Sequence, residues 1–129
     1  MGNSVGLADR LLPKLGTRGE ALACALLKEK GYKIIERNFK TPIGEIDIVA
    51  REGQTLVFVE VKTRGSTAFG SAKWAVDRKK QQKLSRLALY YLNLKAWKDR
   101  PARFDVVAVD LERQGKRIEL FRNAFDLVG

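Results

Sequence analysis

The chain has 129 residues, 45% hydrophobic and 31% charged, with a net charge of +10, a size and balance that suit one domain with its own core. It holds no histidine and one cysteine, Cys24, which excludes His-ligated zinc, Ser-His-Asp and Cys-His catalysis and any intramolecular disulfide. Chemistry is left to carboxylates, lysines, hydroxyls or a metal.

The charge is unevenly placed. Between Lys62 and Arg103 there are 12 basic residues and two acids, Asp77 and Asp99, while the rest carries 13 of each sign. Such a one-sided excess suits a polyanion, nucleic acid above all; a solvated basic helix is the plainer alternative. Apolar runs are too short to span a membrane. The opening MGNSVGL has neither a signal-peptide layout nor a myristoylation pattern, so the expected compartment is the cytoplasm.

In chain order, residues 1–16 read as an irregular arm, 17–122 as the folded domain and 123–129 as a tail. Thr17 to Lys30 is predicted as a helix opened by a Thr17/Glu20 capping box and closed by Gly31. Leu22, Ala25, Leu26 and Glu29 trace its apolar stripe, widened by Ala21, Cys24 and Leu27, with Cys24 a buried thiol. Tyr32 to Phe39 is a strand, and 40–44 a loop containing Pro42 and Gly44.

Glu45 to Ala50 and Thr55 to Lys62 form a hairpin around a loop at 51–54. Alternation sets Glu45 and Asp47 on one face and Ile46, Ile48 and Ala50 on the other. On the second arm, Glu60 and Lys62 join Phe58, opposite Val57, Val59 and Val61. If the pairing joins these polar faces, two carboxylates and an ammonium converge. Burying them is costly unless they pair or bind a cation, and Mg2+ favours carboxylate oxygens. The alternative is a salt bridge from Lys62 to Glu60 or Asp47.

Residues 63–73, rich in Gly, Ser and Thr, form a loop beside this site. Asp77 caps a second helix running to Leu94, with Leu84, Leu87, Ala88, Tyr91 and Leu92 buried. Lys79, Lys83, Arg86 and Tyr90 lie on its exposed line. Lys80 stands four residues before Leu84, either reaching inward to the site or snorkelling out. Asn93 to Ala102 is a basic connector with Trp97 and Pro101. Arg103 to Leu111 is a strand, and Lys116 to Phe121 a shorter edge strand, with one helical turn considered for the tail. The order α-β-β-β-α-β-β predicts an α/β fold, a mixed sheet flanked by helices.

GEIDIVA, LVFVEVKTR, FG, a basic helix and RFDVVAV, in this order, resemble the bacterial YraN-like family over about residues 16 to 122. The resemblance implies a restriction-endonuclease-like fold of the PD-(D/E)xK nuclease superfamily, similar to archaeal Holliday junction resolvases. Carried over by position, Asp47, Glu60 and Lys62 match the superfamily's two acids and lysine, and Glu20 its helical glutamate. Ile46 stands where the signature has proline, and Glu20 has a competing role in the capping box.

What the resemblance implies is a Mg2+- or Mn2+-dependent endonuclease acting on branched or structured DNA. Asp47, Glu60, Glu20 and the Val61 carbonyl would hold the metal, and Lys62 would position water or stabilise the transition state. Arg64, Lys73, Arg78, Lys79, Lys80, Lys83 and Arg86 would bind flanking phosphates. A homodimer is expected by the same analogy, with Phe69 and Trp74 at its interface. The alternatives are a nucleic-acid-binding module of the same fold with weak or no catalysis, and a basic adaptor for an acidic protein.

Overall fold

The computed structural model describes residues 15–64, 76–97, 99–112 and 115–126. Helix α1 (Leu15–Glu29) leads into strands β1 (Lys33–Thr41), β2 (Gly44–Glu52) and β3 (Thr55–Arg64). Helix α2 (Arg78–Leu94) is followed by β4 (Ala102–Glu112) and β5 (Gly115–Phe125). The five strands form one sheet in sequence order. Only β3 and β4 run parallel, so α2 lies in the crossover that a parallel pair requires. The predicted order and the mixed sheet flanked by two helices are those observed.

Each face of the sheet is covered by one helix. Ala23, Cys24 and Leu27 of α1 pack on Ile48, Ala50, Val57, Val59, Val107 and Val109. Leu84, Leu87, Ala88 and Tyr91 of α2 pack on Ile46, Val49, Leu56, Phe58, Phe104 and Val106. Cys24 is buried as expected, and burial pushes its thiol pKa up. Central strands buried on both faces explain the near-continuous Val/Ile/Phe runs of β2, β3 and β4.

Local chemistry sets the ends of the elements. After α1, Gly31 adopts φ +92°; its N–H bonds to the Lys28 carbonyl and that of Tyr32 to the Leu27 carbonyl, a Schellman closure. Asp77 caps α2, its carboxylate accepting the Lys80 N–H at 2.8 Å. The loop expected at 40–44 tightens to Pro42–Ile43, with Thr41 Oγ1 donating to the Gly44 carbonyl and accepting the Ile43 N–H.

Four expectations need correction. Helix α1 already runs at Leu15, so Thr17 lies inside it and the capping box with Glu20 does not open the helix. Its buried stripe is rotated: Gly19, Ala23, Cys24 and Leu27 face the sheet, while Ala21, Ala25 and Glu29 are exposed. The cause is Gly19, where a Cβ would overlap Thr63 Oγ1, so the helix approaches β3 along this line. Strand β5 is not short: it continues to Phe125, occupying positions read as tail. Its pairing with β4 shifts between Phe104 and Val106, where Asn123 at φ +51° gives its N–H to the buried Asp105 carboxylate.

Asp105 also anchors the end of the sheet around the β2–β3 turn. It receives the Tyr32 hydroxyl at 2.7 Å and Arg103 Nε at 3.0 Å, and Arg103 and Arg122 both pair with Glu52. With two acids paired to two arginines, this end is a structural clamp. It leaves the opposite end, around Gly44, Val61 and the start of α1, for function.

Candidate functional site

The fourth correction lies at Asp47 and makes the site. Ile46 packs with the α2 core, whereas Ile48 and Ala50 pack with the α1 core. Simple alternation would put all three together, so β2 twists at Asp47. The opposite strand accommodates this with Asn38 at φ +53°, a left-handed conformation that Asn tolerates better than most residues. The β2–β3 ladder ends at Ile48↔Val59. Beyond it, Asp47 Oδ2 accepts the Val61 N–H at 2.8 Å. A carboxylate thus replaces the backbone carbonyl that would have continued the ladder, and the strands splay around it.

Into this splay comes Glu60 from β3, with its side chain 12% exposed. Asp47 and Glu60 stand close enough for each other's presence to disfavour the charged form of Asp47. Burial, followed by the negative charge of Glu60, pushes the Asp47 pKa up to about 7, against the lowering effects of the Val61 N–H and Lys80. From α2, Lys80 reaches inward and places Nζ 3.5 Å from Glu60 Oε2. Of the two options open for Lys80 in the sequence, the inward one is observed.

Helix α1 contributes Glu20 from the other side. Burial first, and then the charge of Asp47, raise its pKa, while a hydrogen bond with the Asn38 side chain and the nearby Arg37 lower it. Asn38 was not singled out in the sequence. Its signal was a lone Asn within a β-prone run, where a left-handed residue relieves a kink. Gly19, next to Glu20, was also passed over, although its contact with Thr63 sets how closely α1 approaches this end of β3.

Lys62 is half-buried and follows Glu60 by two residues on β3. Among the described residues, no three His, Cys, Asp and Glu side chains stand close enough together to hold an ion as a ready-made cluster. The structure brings together Asp47, Glu60 and Lys80, with Glu20 close enough to feel the charge of Asp47.

Beside the site lies the basic surface of α2. A shallow groove of about 320 Å³ is lined by Asp77, Lys79, Lys80, Lys83 and Arg86. The stem of Lys83 passes over Gly44, where a Cβ would come within 2.9 Å of Lys83 Cε. Arg78 is exposed at the start of the same helix. The side chain of Arg64, and Phe69, Lys73 and Trp74 entirely, lie outside the described residues. No helix among those residues is long and apolar enough to cross a membrane.

A protein-family model, described as uncharacterised protein family UPF0102, matches residues 19–109. That span holds most of α1, the hairpin with Asp47 and Glu60, α2 and most of β4. The chain belongs to the UPF0102 family. UPF0102 proteins of Syntrophus aciditrophicus and Moorella thermoacetica are 49% and 50% identical to it, over 88% and 85% of this chain and 90% and 93% of theirs. The UPF0102 protein of Geobacter sulfurreducens is 51% identical over 88% of this chain and 89% of its own. The aligned length is therefore nearly the whole domain in each UPF0102 relative.

Proposed function

We propose that this UPF0102 protein is a metal-dependent endonuclease that hydrolyses phosphodiester bonds in branched or structured DNA, with the Asp47–Glu60 pair as its centre. The observation that carries the reading is that pair: two acids held together at the end of a splayed ladder, with the Val61 N–H on Asp47 and Lys80 on Glu60. A half-buried acid in that setting either keeps its proton or exchanges it for a cation. The donor set fits a hard divalent cation, Mg2+ or Mn2+, held by Asp47 and Glu60 with the Val61 carbonyl and, from α1, Glu20. When bound, the cation would supply Lewis acidity at the scissile phosphate.

The remaining chemistry falls to the chain's own groups. Lys62 would stabilise charge developing on the phosphate or hold the attacking water in line. Lys80 would shield Glu60 before loading and, with Arg78, Lys79, Lys83 and Arg86, bind flanking phosphates without reading sequence. Arg64 and Lys73 are proposed for the same role. Pairing of two copies would set two sites against two strands, and a monomeric mass by light scattering would count against it.

The test is incubation of the full chain with a labelled four-way junction and a matched linear duplex, with Mg2+, Mn2+ or EDTA. Metal-dependent cutting, stronger on the junction, is expected. The lack, among the described residues, of a ready-made three-acid cluster favours one second reading, a DNA-binding module of the same fold without catalysis. Salt-sensitive binding without cutting in either metal would select it.

A further inference from the structure

Helix α2 carries two adjacent tyrosines with different surroundings. Tyr91 is 3% exposed, gives its hydroxyl to Glu36 at 2.9 Å and meets the rings of Phe39 and Phe58 edge-on. Tyr90 is 43% exposed, and its ring centre lies 6.4 Å from that of Phe39. Phe39 is itself held edge-on by Tyr91 at 4.9 Å, so an aromatic row from the core ends at the exposed ring. Lys79, Lys83, Arg86 and Tyr90 follow one another along the helix at steps of four, three and four residues, which keeps them on one ridge. All four are exposed, and the first three line the groove beside the acid pair. From Lys79 to Arg86 the ridge rises about 10 Å, the axial length of about three phosphates of one DNA strand. Tyr90 stands one turn further on, and Leu94, 59% exposed, widens this apolar end of the ridge.

Resting on the reading of the α2 groove as a DNA surface, we propose that Tyr90 is a stacking platform for an unpaired base of the strand whose phosphates lie on Lys79, Lys83 and Arg86. Two properties select this occupant. Basic residues followed by an exposed aromatic ring are what a single strand needs, with charge for its backbone and a flat face for a base released from its pair. A protein partner is disfavoured by the lysines, because the desolvated centre of a protein interface is depleted in charged residues. A base inside an intact duplex already stacks on both neighbours and offers no face to the ring. Tyr90 therefore engages only where pairing is interrupted, at a branch, gap or flap. It is a specificity-determining residue: the basic ridge holds any DNA, and the ring favours DNA with an unpaired base at the end of that ridge.

The test is the affinity of the full chain, in EDTA so that binding is separated from metal-dependent cutting, for three labelled probes. These are a linear duplex, the same duplex with a short unpaired tail, and the same duplex with a tail of abasic nucleotides, which keeps the phosphates and removes the bases. Wild type is expected to bind the base-bearing tail about tenfold more tightly than the abasic tail at the same salt concentration. Tyr90→Ala should abolish that difference while leaving affinity for the duplex and the abasic tail unchanged. Tyr90→Phe and Tyr90→Trp should retain it, since each keeps a flat ring. Lys83→Ala should weaken binding of all three probes alike. Equal affinity of wild type for the two tails would overturn the platform, as would an equal loss on every probe in Tyr90→Ala. A fall from dimeric to monomeric mass in Tyr90→Ala, read by light scattering, would also overturn it and would assign Tyr90 and Leu94 to a contact between copies. Salt-dependent binding without a Tyr90-dependent preference sinks only the platform, whereas no salt-dependent binding of any probe sinks the groove as a DNA surface and the platform with it.

Discussion

Asp47→Asn is expected to stabilise the metal-free protein at about pH 8 and to change little below about pH 4. In the folded state Asp47 keeps its proton up to about 7, while in the unfolded chain it gives it up near 3.8. Between these values the folded protein binds more protons than the unfolded one, so wild type loses stability as pH rises through that window. Asn imitates the protonated acid. Its Oδ1 still accepts the Val61 N–H, its amide can donate to Glu60, and it has no charge to bury. The full shift would correspond to about 4 kcal/mol. Interaction with the neighbouring acid Glu60, and the presence of Lys80, reduce this to about 2 kcal/mol, or roughly 6 °C in melting temperature for a chain of this size. The assay is thermal unfolding of both proteins in EDTA across the pH range. An Asn variant melting at or below wild type at pH 8, or a gap that does not vary with pH, would refute the description of Asp47 as a strained acid.

Three further outcomes follow from other parts of the molecule. Arg103→Met leaves the fully buried Asp105 and Glu52 short of a cation and should cost about 3 kcal/mol in denaturant unfolding; a loss under about 1 kcal/mol would mean that the clamp carries little. Gly19→Val puts a branched side chain where even a Cβ meets Thr63, and should destabilise by about 1–3 kcal/mol while displacing Glu20; unchanged stability would show that α1 shifts freely. Replacing Lys79, Lys83 and Arg86 together by Ala should weaken DNA binding and reduce the slope of log affinity against log salt by about 3; an unchanged slope would remove the groove from the interface.

The hairpin and its acids were legible in the sequence because β-strand alternation is short-range and strong. Val57, Val59 and Val61 fall on one face and Phe58, Glu60 and Lys62 on the other, as alternation requires. The cap at Asp77 and the closure at Gly31 were legible for a similar reason: each is a local contract between a side chain or a glycine and the nearest free backbone groups. The twist at Asp47 was not, because it depends on Asn38 in a neighbouring strand taking a positive φ and on Val61 offering its N–H to a side chain. The length of β5 was hidden in the same way. Asn123 reads as a turn residue until Asp105, from another strand, captures its N–H. In α1, alanines on both sides of the helix left the buried line undetermined until Gly19 met Thr63.

The most direct measurement for the central claim is single-turnover cleavage of a labelled junction by wild type, Asp47→Asn, Glu60→Gln and Lys62→Ala, with DNA affinity measured on the same preparations. Loss of metal-dependent cutting in all three variants, with affinity close to that of wild type, is the predicted result. Cutting that survives loss of either acid would contradict the assignment of Asp47 and Glu60 as the catalytic centre.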